Sequence, residues 1–144
     1  MRFMVIGKAT RDSEEGAIPD PQFMADMNKY IDELVEAGVM VSYEGLHPSS
    51  KGARVRFSGK NRTVIDGPFA ETKELIAGFM LWQVKSLEEA IEWVKRSPNC
   101  DADESDVEIR QVFEPEDFAP AFSEEAIQQE KQIRAQLADQ AAKK

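Results

Sequence analysis

Two apolar segments, two amphipathic helices opened by capping signals, and a period-two hairpin between them predict an α+β fold. The order reads β-α-β-(hairpin)-β-α-β, which is the ferredoxin-like split βαβ pattern with an inserted β-hairpin. The two segments that are apolar on both sides, 2–7 and 79–84, occupy the strand positions that this topology puts at the centre of the sheet.

The first strand covers residues 2–7 and is followed by a charged, Gly-containing loop from Thr10 to Pro19. Asp20 then serves as an N-cap, with Pro21 at the first helical position. Phe23, Met27, Tyr30, Ile31, Leu34 and Val35 form one apolar stripe, and Gly38 closes the helix. Val39 to Gly45 reads as the second strand, and His47 to Gly52 as a turn-rich break. Ala53, Val55 and Phe57 alternate with Arg54, Arg56 and Ser58, and Ser58-Gly59-Lys60-Asn61 supplies a turn into Thr63–Asp66. Asp66-Gly67-Pro68-Phe69 leaves the hairpin and leads to the strand Phe79–Val84. Ser86 and Glu89 match a capping box opening a helix that ends before Pro98, and Val107–Phe113 is the last strand.

In the central strands Met4, Ile6, Met80, Trp82 and Val84 alternate with Phe3, Val5, Phe79 and Leu81. One set is expected to meet the helices, and the other needs a second cover, which a homodimer packed sheet against sheet supplies. From Glu114 the character changes. Ser123 caps a helix through Leu137, with Glu124 and Glu125 in its first turn. Its apolar arc is thin and interrupted by Glu130 and Arg134, so the segment either frays or lies on a partner subunit. The organisation expected is a domain over 1–118 with a helical extension over 119–144.

The chain has 144 residues and a net charge of −9, which argues against nucleic acid as the main partner because phosphate binding needs a basic surface. No apolar run approaches the ~20 residues of a membrane helix. Met1-Arg2-Phe3-Met4-Val5-Ile6 is too short for a signal-peptide core. A cytoplasmic location and no membrane partner are therefore expected. Cys100 is alone, which excludes a disulfide framework, and it has no basic neighbour to activate it. A metal is not expected: there is no second histidine, and Asp101, Asp103, Glu104 and Asp106 lack the glycine and terminal glutamate of a calcium loop. Nothing requires a cofactor.

His47 is the single histidine and lies where a strand meets a Pro-Ser-Ser turn. It reads either as a half-buried residue satisfied by a backbone carbonyl or as a proton-transfer group. Asp66 either bonds the amides of its own turn or orients His47 as the other half of an acid–base pair. Lys51, Arg54, Arg56, Lys60 and Arg62 form a basic patch with no acid among them over 51–62. Arg54 and Arg56 share a strand face and either clamp a carboxylate or phosphate or pair with acids of a neighbouring strand or subunit. Glu71 and Lys73, just past the Asp66 turn, either line the same cleft or face water. Trp82 and Trp93 fit core or interface positions.

The stretch Asp66-Gly67-Pro68-Phe69-Ala70-Glu71-Thr72-Lys73-Glu74 resembles the signature of the DGPF branch of the YCII-related family. Glu44-Gly45-Leu46, Val55-Arg56-Phe57, Gly78-Phe79, Ala90-Ile91-Glu92-Trp93 and Val107-Glu108-Ile109-Arg110 extend the resemblance over roughly residues 1 to 118. It implies a dimeric α+β barrel of ferredoxin-like subunits. It also implies, for many DGPF proteins, an association with extracytoplasmic-function sigma factors, and for one YCII branch, elimination chemistry of the dehydrochlorinase kind. Enzymes of that branch are associated with a histidine on the first helix and an aspartate in an Asp-Pro after the second. Here the first position falls near Met27 and the later motif reads Ser97-Pro98-Asn99, so that activity is not carried over. Two functions are therefore expected of the chain. One is a binding protein or enzyme for a small anionic ligand, with a cleft near the hairpin. The other is a non-catalytic regulatory protein acting through the hairpin and the C-terminal helix.

Overall fold

The computed structural model describes residues 1–99 and 104–144. Cys100, Asp101 and Asp103, and the expectations attached to them, lie outside the described residues. The chain divides into two compact units, Met1–Gln111 and Val112–Lys144.

In the first unit, β1 (Arg2–Lys8), β2 (Met40–Gly45), β5 (Ile76–Gln83) and β6 (Val107–Gln111) form a sheet in the order β2-β5-β1-β6. Every neighbouring pair is antiparallel. With α2 (Pro21–Glu36) after β1 and α3 (Leu87–Lys95) after β5, this is the ferredoxin-like α+β topology. The inserted strands β3 (Ala53–Ser58) and β4 (Asn61–Asp66) pair only with each other.

Local chemistry explains the helix ends. Asp20 accepts the Phe23 N–H at 2.8 Å ahead of Pro21. Gly38 takes φ 72°, a left-handed conformation that lets the Val39 N–H reach the Leu34 carbonyl at 2.9 Å and close α2. Ser86 accepts the Glu89 N–H at 3.1 Å, as expected, but the Glu89 carboxylate takes the Lys85 N–H, one residue before the cap. The segment read as loop over 10–19 contains a one-turn helix, α1 (Arg11–Glu14). Thr10 and Ser13 close it by exchanging side-chain and backbone hydrogen bonds. That reciprocal pairing outweighs the charge and glycine that suggested a loop.

The core lies between the sheet and the helices and consists of Phe3, Val5, Tyr30, Leu34, Val39, Trp82, Val84 and Ala90. Register settles which residues share a face. Phe3 is opposite Trp82 and Val5 opposite Met80, while Met4 is opposite Leu81 and Ile6 opposite Phe79. The grouping of Met4 and Ile6 with Trp82 is thus corrected: alternation fixes the faces within a strand, but only the pairing register fixes the phase between strands. Tyr30 ties the helices together by donating its hydroxyl hydrogen bond to the Trp93 carbonyl at 2.7 Å. Trp82 is fully buried, and its indole N–H has no partner among the described residues.

The second unit contains α4 (Glu124–Ala142), longer than the helix expected to end at Leu137. Ser123 caps it through the Ala126 N–H at 3.2 Å. Lys131 reaches back to Glu116 at 3.0 Å, and its hydrogen bond holds that carboxyl below the usual carboxylate range. Phe113, Phe118 and Phe122 stack in series with ring centroids 4.8 and 5.3 Å apart. Among the described residues, no helix is long and apolar enough to cross a membrane.

Candidate functional site

Three connections gather at one end of the main sheet: the stretch after β1, the stretch after β2, and the stretch between β4 and β5. Backbone bonds bring them together. The Ala9 N–H donates to Leu75 at 2.9 Å, the Leu46 N–H to Ala77 at 2.8 Å, and the Gly67 N–H to Gly52 at 3.0 Å. All the residues singled out from the sequence, His47, Arg54, Arg56, Asp66, Glu71 and Lys73, belong to these connections or to the hairpin they support.

The centre of the cluster is a polar latch. The Glu14 carboxylate accepts the Ser49 N–H at 3.1 Å and the Ser49 hydroxyl, and the same Ser49 Oγ accepts the Phe69 N–H at 3.0 Å. Three segments far apart in sequence are thereby locked through one serine. Gly67 fits flush against it, since a Cβ there would lie 1.7 Å from the Ser49 carbonyl oxygen. This contact is why a glycine stands before Pro68. Glu14 and Ser49 were not singled out from the sequence, because at 35 positions apart they leave no local signal.

Arg54 crosses from β3 to the outgoing turn, its guanidinium 3.9 Å from the centre of the Phe69 ring. Such a contact contributes about 0.5–1 kcal/mol at an exposed site and leaves the edge of the guanidinium free for an anion. Arg56 projects from the same strand face, two residues on, and is exposed. Neither arginine pairs with an acid among the described residues of this chain, so no neighbouring strand supplies an ion-pair partner. By contrast Lys8, Arg11, Lys95, Arg96, Lys131, Arg134 and Lys143 all sit in ion pairs.

His47 and Asp66 are both exposed. Among the described residues neither side chain makes a hydrogen bond, with each other or with the backbone. The half-buried histidine satisfied by a carbonyl is therefore not what the structure shows. Nor does Asp66 bond the amides of its turn, because Ser49 Oγ already takes the Phe69 N–H. Glu71 and Lys73 are exposed beside the short turn Thr72–Glu74. Met27 is half-buried against the core, which makes it a packing residue. No group of three or more His, Cys, Asp or Glu side chains suited to a metal occurs among the described residues.

A ferredoxin-like α+β domain with an inserted hairpin, its loops latched at one end of the sheet, is the class this structure defines. Residues 1–115 match the model of the YCII-related domain, and the chain belongs to that family. An uncharacterised protein of Rhizobium meliloti (strain 1021) is 35% identical over 91 residues, covering 63% of this chain and 73% of that protein. Among solved structures, the 5-chloro-2-hydroxyhydroquinone dehydrochlorinase TftG from Burkholderia phenoliruptrix AC1100, in complex with 2,5-dihydroxybenzoquinone, aligns over 81% of this chain and 98% of that one. Its identity is 15% and the TM-score 0.44, too distant to carry a residue's role or a ligand across.

Proposed function

We propose that the protein is a homodimer that binds a small anionic ligand at the base of the hairpin, and that it belongs to the DGPF branch of its family. The observation that carries the ligand reading is the pair Arg54 and Arg56: two guanidiniums with no acidic partner among the described residues, on one strand face of a chain with net charge −9. The polar latch holds the first of them, through Phe69, at a fixed place. Lys73, a cation, and Glu71, a hydrogen-bond acceptor, are exposed further along the same connection. The unengaged His47 is the group available for proton transfer on a bound ligand, while Asp66 lies by register on the ribbon face opposite the two arginines. The dimer is supported by the sheet face away from the core, where Met4, Ile6, Phe79 and Leu81 form an apolar block that keeps partial exposure.

Thermal-shift titration with inorganic phosphate and with citrate tests this reading. The expected outcome is a rise in melting temperature for the native chain that Arg54→Ala plus Arg56→Ala abolishes, with the dimer intact by light scattering. An equal response in the double variant overturns the assignment of the two arginines. A second reading, a non-catalytic protein that engages a regulatory partner such as a sigma factor, is favoured by α4, where Ile133 and Leu137 remain exposed. A chain that responds to neither anion but is retained by such a factor through α4 would select it.

A further inference from the structure

We propose that the apolar face of the β3–β4 hairpin is an arm that docks on a second copy of this chain. The inference rests on the homodimer reading above and assigns it a second contact. Register puts Ala53, Val55 and Phe57 on one face of the ribbon together with Asp66, Val64 and Arg62, so that face is apolar in the middle and charged at its two ends. Val55 is 52% exposed, Val64 65% and Phe57 70%, so the chain's own fold leaves this face uncovered. A two-stranded ribbon is marginal by itself in water, and a cover on its apolar face removes that weakness.

Charge identifies the cover. Segment 51–66 holds five cations and one acid, a net +4 in a chain of −9, which leaves −13 on the rest. The complement of the arm is therefore the remainder of its own sequence. The sheet carries acids on its edge strands, Glu44 and Glu108, on either side of the Phe79–Ile6 pair that the sheet-to-sheet contact covers, so the arm meets the rim of that contact rather than its centre. A two-fold axis makes the contact reciprocal, so each dimer forms it twice. The tip is also stiff before docking: Arg62 lies 4.4 Å from the Phe57 ring centre and donates to the Gly59 and Asn61 carbonyls at 2.9 Å. A pre-ordered arm loses little conformational freedom on binding. The opposite ribbon face, with Arg54 and Arg56, stays free for the ligand.

Sedimentation equilibrium over a dilution series tests the arm with two variants, Val55→Thr/Phe57→Ala/Val64→Thr and the tip charge reversal Lys60→Glu/Arg62→Glu. Both should raise the dimer dissociation constant at least ~10-fold, about 1.4 kcal/mol. The charge reversal should lose most of its effect in ~1 M salt, where the Debye length falls to about 3 Å. Circular dichroism checks the fold, and the tip variant, altered only at exposed residues, keeps the test open if the triple variant misfolds. A native dimer whose constant neither variant changes overturns the arm and leaves the sheet-to-sheet dimer standing. A native chain that is monomeric throughout overturns the homodimer reading and the arm together, and if that monomer instead retards duplex DNA, the hairpin belongs to nucleic acid.

Discussion

The central strands β1 and β5 and the inserted strands β3 and β4 are both antiparallel, both rich in β-branched and aromatic residues, and opposite in what they bury. In the first pair Phe3 is 2% and Trp82 0% exposed, and both contribute to the core. In the second, Val55, Phe57 and Val64 are at least half exposed. The difference lies in neighbours: α2 and α3 cover one face of β1 and β5, while β3 and β4 pair with nothing but each other. Apolar area covered within the chain stabilises folding, and the same area left open is available for association.

The sharpest way to break the comparison is Trp82→Ala. Truncating this fully buried ring should cost about 3–5 kcal/mol, because the transfer energy is lost and a cavity is left that the sheet and helices fill only in part. Chemical denaturation of the variant measures it. A cost under ~0.5 kcal/mol, the range of exposed substitutions, would mean that Trp82 does not anchor the core.

Ser49→Ala acts between the two regions, at the latch where the hairpin joins the sheet. It removes the acceptor of the Phe69 N–H and the hydroxyl donor to Glu14. An expected loss of about 1–3 kcal/mol follows from leaving half-buried polar groups unpaired. Amide exchange at Phe69 should accelerate while exchange in β1 and β5 keeps its ranking. Unchanged exchange at Phe69 would show that Ser49 holds nothing in place.

What the sequence made legible divides along the same line. The caps at Asp20, Ser86 and Ser123, the Gly38 terminus and the hairpin turn are all decided within a few residues, and the structure has each where the local chemistry puts it. The Thr10–Ser13 box is equally local, but the charge and glycine around it read as a loop. The phase of β1 against β5 and the bond from Glu14 to Ser49 are products of tertiary pairing and leave no periodicity to read. The candidate site was legible as residue types, the basic patch and the single histidine. Its organising residues, Glu14 and Ser49, were not, since a carboxylate and a hydroxyl 35 positions apart announce nothing until the chain has folded.

The smallest of these effects probes a polar tie inside the covered region. Tyr30→Phe removes the hydroxyl that donates to the Trp93 carbonyl and should cost about 0.5–1.5 kcal/mol near neutral pH. Burial pushes the Tyr30 hydroxyl up to about 12, with Glu33 adding to the shift and Arg96 opposing it. In the unfolded chain the same group loses its proton near 10. The folded state therefore keeps a proton that the unfolded state releases. The stability Tyr30 provides is complete below pH 10 and declines as pH rises through 10 toward 12. Phenylalanine has no proton to hold, so the gap between native and variant stabilities should narrow over that window, whatever other groups titrate in both. Denaturation midpoints of the two proteins at neutral pH and across that window measure the gap. A constant gap would mean that the hydroxyl is not buried in the way the α2–α3 contact requires, and the contrast between a sealed helix side and an open hairpin would lose its polar anchor.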